Sequence, residues 1–241
     1  IHFSDIPHGR LQALWRQGRV TINGRSASPR DTVPAGANIA IQIADERPDT
    51  PPPLPLSPAE QARLAAMTLH EDADLLVLDK PSGLAVHAGT GTTADLDALL
   101  ARLIDPATGE RPVLIHRLDK DTSGVLVAAK RKTVAQRLGK ALAAHALVKT
   151  YIAVVEGRLT GSGVIDLPLA KRETPAGGRV VVAASSDPDA KAAQTKWIAL
   201  AHAADGSATL VELTPLTGRT HQLRAHLKAI GHPIRGDRLY G

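Results

Sequence analysis

Short, uninterrupted apolar runs alternate along this chain with stretches of helical period. Leu75-Leu76-Val77-Leu78, Val113-Leu114-Ile115 and Val125-Leu126-Val127-Ala128-Ala129 each predict a buried strand, since every successive residue is apolar. Tyr151 to Val155, Val180 to Ala183, Thr195 to Leu200 and Thr209 to Leu213 predict four more strands. Three segments instead repeat their apolar residues on one helical face. Thr92 and Asp95 suggest a capping box ahead of Leu96, Leu99, Leu100 and Leu103. A second helix is predicted from about Thr133 to His145, with Val134, Leu138, Ala141 and Leu142 inward and Arg137 and Lys140 outward. A third spans about Thr220 to Ile230, with Leu223, Leu227 and Ile230 on its buried side. Strands outnumber helices and short turns join many of them. The pattern predicts an α+β fold, a mixed, largely antiparallel central sheet with flanking helices.

The amino-terminal stretch has a different grain. Residues 8 to 17 predict a short helix with Leu11, Leu14 and Trp15 on one face, followed by a strand that runs into the Asn23-Gly24 turn. A second strand, Ile39 to Ile43, follows the turn at Pro34-Ala35-Gly36. From Asp45 to Pro58 the prolines at 48, 51, 52, 53, 55 and 58 favour an extended, semi-rigid spacer over a packed element. A ligand for a proline-reading domain is the sharper alternative, but a spacer explains the position equally well. The expected division is therefore 1–45 as a small αβ module, 46–58 as a linker and 59–241 as the main domain.

Composition narrows the class of function. The 241 residues contain no cysteine, so neither disulfides nor thiolate metal sites are available. No apolar run approaches the roughly 20 residues of a membrane span, and the opening residues lack the form of a signal peptide. A soluble, cytoplasmic protein is expected. The chain opens at Ile1, so a shortened start is expected too. Formal net charge is +5, and its placement is more telling than its sum. Arg16, Arg19 and Arg25 belong to an arginine-rich front end, while Arg117 and Lys149 belong to a second basic stretch between residues 111 and 151. That distribution suits a nucleic acid. With only Phe3, Trp15, Tyr151, Trp197 and Tyr240 aromatic, the contacts would be mainly to phosphates.

The candidate chemistry centres on His116-Arg117-Leu118-Asp119-Lys120-Asp121-Thr122-Ser123-Gly124, a charged loop between two apolar runs. A rigid scaffold presenting a reachable polar loop is the usual setting for catalysis. Alone, it could equally be a surface turn punctuated by Thr-Ser-Gly. Other signals are weaker. Gly89-Thr90-Gly91-Thr92-Thr93-Ala94 fits a loose dinucleotide-binding pattern, but no acidic residue ends a second strand in the required place. His221 and His226 are five apart, not the four that sets two metal ligands on one helical face. Ser82 and Ser123 lack a nucleophile elbow.

Two resemblances organise these residues. Arg16-Gln17-Gly18-Arg19-Val20-Thr21-Ile22-Asn23-Gly24-Arg25 resembles the S4 RNA-binding domain, with Gly36-Ala37-Asn38 where that family closes on Gly-Asp. The larger part resembles the RluA family of RNA pseudouridine synthases. The matching segments are Asp79-Lys80-Pro81-Ser82-Gly83, the His116–Gly124 loop, Lys149-Thr150-Tyr151 and Thr217-Gly218-Arg219-Thr220-His221-Gln222-Leu223-Arg224-Ala225-His226. Gly231-His232-Pro233-Ile234-Arg235-Gly236-Asp237 and Tyr240-Gly241 extend the match. Together with the S4-like front end, Lys80 to His87 resembles the RluC/RluD branch, which modifies large-subunit ribosomal RNA, and leans toward RluC. Members of that family continue past the final Tyr-Gly, so a shortened carboxyl end is also expected.

The resemblance implies an isomerase that detaches uracil from ribose at N1 and rejoins it through C5. It assigns Asp119 the central role, as covalent nucleophile or as the base of a glycal route. A buried carboxylate needs a nearby cation to stay charged, and the resemblance supplies Arg224, whose guanidinium suits bidentate pairing. Tyr151 is implied to lie against the uracil, though from its place in a strand it could equally be a packing residue. Arg117 is implied to contact the flipped-out nucleotide or fill the gap it leaves. Asp121 is the nearest rival carboxylate and is read as a loop cap. The expected partner is RNA, specifically large-subunit ribosomal RNA, with no small-molecule cofactor, no metal and no membrane, and the protein is expected to be a monomer. A non-catalytic RNA-binding or ribosome-assembly factor is the alternative.

Overall fold

A computed structural model describes residues 14–28, 31–42, 54–87, 95–144, 146–174 and 177–241. The chain divides into two compact units, Ile1–Leu54 and Pro55–Gly241. Much of the expected linker, the expected helix's residues before 14, Thr92 and the Gly89–Ala94 stretch lie outside the described residues.

In the first unit, β1 (Val20–Ile22), β2 (Arg25–Ser26) and β3 (Ile39–Ile41) form an antiparallel sheet in the order β2-β1-β3. Ile22 pairs with Arg25, which leaves Asn23-Gly24 as a two-residue loop with φ of 50° and 79°. Positive φ at both positions is the demand of the tight hairpin turn whose twist matches its strands, and Asn-Gly meets it at least strain. The Asn23 side chain also accepts a hydrogen bond from Asn38 N–H at 2.8 Å, tying the turn to the approach to β3. Leu14, Val20 and Ala27 form the small core. Arg16 and Arg25 are exposed, whereas Arg19 is half-buried.

The second unit opens on a helix where the sequence reading placed the end of a linker. α1 (Pro58–Met67) has Ser57 as its N-cap, and the Ser57 and Glu60 side chains satisfy each other's backbone N–H groups. Pro58 sits in the first turn, where its missing N–H is no loss. The strands β4 (Thr68–Glu71), β5 (Leu75–Lys80), β6 (Val113–Leu114) and β7 (Gly124–Ala129) form one sheet in the order β4-β5-β7-β6. α2 (Leu96–Leu100) is capped by Asp95, which is the N-cap itself rather than the third residue of a box. α3 (Lys132–Ala143) follows β7. A second sheet joins β8 (Tyr151–Glu156), β9 (Ser162–Asp166), β12 (Gln194–His202) and β13 (Ala208–Pro215) in the order β8-β13-β12-β9. Between them in sequence, β10 (Leu169–Thr174) and β11 (Gly177–Val182) form a separate hairpin. α4 (Gln222–Ala229) is the last helix.

Every pairing among the described strands is antiparallel. Three apolar clusters among the described residues carry the second unit, one around Leu78, Leu100 and Leu126, a second around Val155, Val211 and Leu213, and a third of Leu169, Val180, Ala193, Ala225 and Tyr240. Tyr151 packs against the first two, so it stands where the two sheets meet. The runs at 113–115 and 125–129 are not buried throughout as predicted: in β7 Val125 is exposed while Leu126, Ala128 and Ala129 are buried, and in β6 Val113 is exposed and Leu114 half-buried. No helix among the described residues is long and apolar enough to cross a membrane.

Candidate active site

The His116–Gly124 loop is held from three directions. Leu118 is buried in the first apolar cluster, which anchors the middle of the loop and turns Arg117 outward into solvent. At its entrance, His116 Nε2 accepts a hydrogen bond from Val127 N–H at 3.2 Å. Burial, then the positive charge of Lys149, push the His116 imidazole below its usual range and keep it neutral for that task. Lys149 itself is half-buried. The third hold comes from the Lys80-Pro81-Ser82-Gly83 turn. Lys80 is fully buried, and its Nζ donates to the carbonyls of Pro81, Leu84 and Lys120 at 2.9, 2.9 and 2.8 Å. Gly83 N–H also donates to Lys120 O, and Ser82 Oγ to Asp121 O. Gly83 does so from a φ of 85°, a conformation glycine adopts without strain. Burial pulls the Lys80 ammonium down, and Asp121 and Asp119 oppose it. Asp121 thus contributes a carbonyl to the staple and lies exposed.

α4 brings the second half of the site. Gln222 accepts from Thr217 Oγ1 and Arg219 N–H, and donates to Gln194 O and Thr195 Oγ1. One turn on, the fully buried His226 contacts Thr195 Oγ1 through Nδ1 at 2.9 Å and Leu167 O through Nε2 at 3.0 Å. Burial keeps it neutral, and both ring nitrogens are engaged in fastening the helix to the sheet. Leu223 and Leu227 pack on the second apolar cluster. Arg224 is left facing the loop.

Its Nη1 lies 3.3 Å from Asp119 Oδ2, and the two side chains are only 18% and 24% exposed. The expected partners meet, but not with the expected geometry. Nε and Nη2, the two parallel donors, go instead to Asp237 Oδ2 and Oδ1 at 2.7 and 2.8 Å. The bidentate carboxylate is Asp237, and Asp119 receives the remaining arm. Asp237 is 5% exposed and also accepts the N–H groups of Leu239 and Tyr240. Burial pushes its carboxyl up, but the Arg224 bond and these backbone donors bring it down to about 2. Arg224 is in turn held firmly protonated, chiefly by its bond to Asp237. The Tyr240 ring lies 4.9 Å from the guanidinium and completes its setting.

Two further side chains border Asp119. Tyr151 begins β8, and burial, followed by the Asp119 charge, pushes its phenol up, so it remains protonated at neutral pH. His221 Nε2 stands 3.9 Å from Asp119 Oδ2. Asp119 and Arg224 are therefore in contact and Tyr151 is near enough to feel the Asp119 charge, with Arg117 exposed and felt as a charge by His221. Arg16, Arg19 and Arg25 belong to the other unit. Asp237, Tyr240 and His221 also belong to the site, and each lies within a segment that resembles the family without having been a candidate site residue. The signal available was an acidic residue a short loop beyond the arginine helix, the natural partner for a buried cation. Among the described residues, no group of His, Asp or Glu is arranged to hold a metal ion.

Comparison with known proteins shows the family. Residues 74–229 match the family model described as RNA pseudouridylate synthase. The chain is 35% identical over 244 residues to ribosomal large subunit pseudouridine synthase D of Yersinia pestis, covering 99% of this chain and 70% of that protein. It is 34% identical over 242 residues to ribosomal large subunit pseudouridine synthase C of Escherichia coli (strain K12), covering 98% of this chain and 72% of that one. Among solved structures, human RNA pseudouridylate synthase domain containing 4 superposes with a TM-score of 0.62 at 32% identity, over 76% of this chain and 73% of that chain. The chain therefore belongs to the RluA family of RNA pseudouridylate synthases, isomerases of uridine in RNA, on the side of the large-subunit synthases C and D.

Proposed function

We propose that this enzyme isomerises uridines of large-subunit ribosomal RNA and that Asp119 is the carboxylate that acts on the glycosidic bond. The observation that carries the assignment is the Asp119–Arg224 pair at 3.3 Å, its side chains recessed to 24% and 18% exposure. In the reaction the N1–C1′ bond breaks, the base turns, C5 bonds to C1′, C5 gives up its proton and N1 takes one. Asp119 enters either by adding to C1′ or by removing a neighbouring ribose proton. Both routes need the same carboxylate, and Arg224 Nη1 holds one of its oxygens. Tyr151, a neutral phenol between the two sheets, is assigned to the uracil. The nucleotide reaches such a recess only by leaving its stack, at a cost of a few kcal/mol that is least in loops. Arg117, exposed beside the recess, is assigned to the extruded nucleotide or the gap behind it. Lys149 and the front-end arginines Arg16, Arg19 and Arg25 are assigned to phosphates, the latter through an S4-like module.

The test is direct. Purified protein is incubated with large-subunit ribosomal RNA lacking pseudouridine, and the product is mapped by carbodiimide treatment and primer extension. New stops at a few discrete uridines are expected. Conversion confined to another RNA class would overturn the substrate, and conversion of no RNA would overturn the function.

A further inference from the structure

Asp119 meets both of its basic neighbours with one oxygen. Arg224 Nη1 and His221 Nε2 lie 3.3 and 3.9 Å from Oδ2, and among the described residues no donor reaches Oδ1. The other end of the His221 ring is fixed too. Its Nδ1 is 3.0 Å from Tyr240 Oη, and that oxygen already accepts Val180 N–H at 3.0 Å. Tyr240 is buried, and His221 Nδ1 is the acceptor available for its one hydroxyl proton. A neutral imidazole that accepts at Nδ1 carries its proton on Nε2. The ring is then an N–H donor directed at Asp119.

The surrounding charges agree with a neutral ring. Burial acts first against the imidazolium, Asp119 and Asp237 favour it, and Arg224 and Arg117 oppose it, with the balance lying below the ordinary histidine value. The backbone points the same way. His221 is at φ 52°, one of two non-glycine residues with positive φ among those described, the other being the turn residue Asn23. Strained backbone of this kind persists where surrounding contacts fix it, and it clusters at functional sites.

We propose that His221 is a positioning residue for the Asp119 carboxylate, its tautomer set by Tyr240, which with Arg224 holds Oδ2 and leaves Oδ1 to meet the ribose. The proposal rests on reading Asp119 as the catalytic carboxylate. The 3.9 Å gap shortens to a hydrogen bond when the nucleotide displaces water from the recess.

Histidine-selective 15N NMR reads the tautomer without RNA. At neutral pH His221 is expected as the Nε2–H form, and the Nδ1–H form would overturn the proposal. Single-turnover rates then test the role. His221→Asn suits the left-handed backbone and keeps a polar group near Tyr240, but it is too short to reach Asp119. Its rate is expected to fall by about 10-fold or more with RNA affinity within about two-fold of wild type. His221→Gln, whose amide nitrogen can occupy the Nε2 position, is expected to stay within about three-fold of wild type. An Asn variant as fast as wild type, or a Gln variant no faster than Asn, would overturn it. Asp119→Asn is measured alongside. If that variant converts uridine normally, the reading of Asp119 fails; if it is inactive while both His221 variants are normal, only the role of His221 fails.

Discussion

Asp119→Asn is expected to fold, to bind RNA with near wild-type affinity and to form no pseudouridine. The substitution keeps the side chain's shape and an oxygen for Arg224 Nη1, while Arg224 retains both bonds to Asp237. Asp119 is partly open to solvent, so losing its charge leaves no unpaired buried ion. Stability is expected to change by less than about 1 kcal/mol, judged by the urea midpoint. The chemistry has no such reserve. An amide neither adds to C1′ nor removes a ribose proton, so the single-turnover rate is expected to fall by at least about 10³-fold. RNA carrying tritium at uridine C5 reports the reaction as label released to water. Release at the wild-type rate would show that another group does the work, Asp121 being the nearest rival.

Asp237→Asn is expected to damage both the fold and the rate, though Asp237 touches no substrate in this account. Its carboxylate receives two bonds from Arg224 and two from the backbone at 5% exposure. The amide keeps one oxygen for the guanidinium but turns an NH2 donor toward the other arm of the fork, and Asp119 is left as the one carboxylate paired with Arg224 among the described residues. Breaking one side of a buried pair typically costs about 3 kcal/mol or more. The rate is expected to fall by about 10²-fold, because an ångström of drift in a reacting group has that effect. The pH dependence has a definite sign. The Asp237 carboxyl is depressed from 3.8 to about 2, so its contribution is present above pH 3.8 and is lost as pH falls toward 2. That shift corresponds to about 2 kcal/mol. Urea titrations of wild type and Asp237→Asn are therefore expected to converge between pH 4 and pH 2. A constant separation across that range would contradict the assignment.

Much of the site was legible in the sequence because its residues lie in short, specific segments. The His116–Gly124 loop and the Arg224 helix were each recognisable by resemblance to the RluA family, and it was that resemblance that implied their meeting. What was not legible is how a guanidinium distributes its donors. Arg224 has one fork, and Asp119 seemed its owner until the chain beyond α4 brought Asp237 back alongside. Such a choice depends on where a thirteen-residue return path ends, which no local pattern encodes. The same limit hid Tyr240, whose ring and hydroxyl serve Arg224 and His221 at once. Other omissions were avoidable. Ser57-Pro58-Ala59-Glu60 is a capping box with proline in the first turn, and the proline-rich stretch before it masked that helix. β10 was harder, since Leu169–Thr174 contains Lys-Arg-Glu-Thr and shows no apolar run. Its partner β11 supplies the ladder, and backbone pairing rather than side-chain pattern defines the hairpin.

The central claim is a relay of position: Asp237 fixes Arg224, and Arg224 holds Asp119. The most direct test is a double-mutant cycle in single-turnover rate between Asp237→Asn and Arg224→Lys, the latter keeping a charge but losing the fork. If Asp237 acts through the guanidinium, adding Asp237→Asn to Arg224→Lys should slow the enzyme by no more than about three-fold further. Rate losses that simply multiply would mean the two residues act independently, and would contradict it.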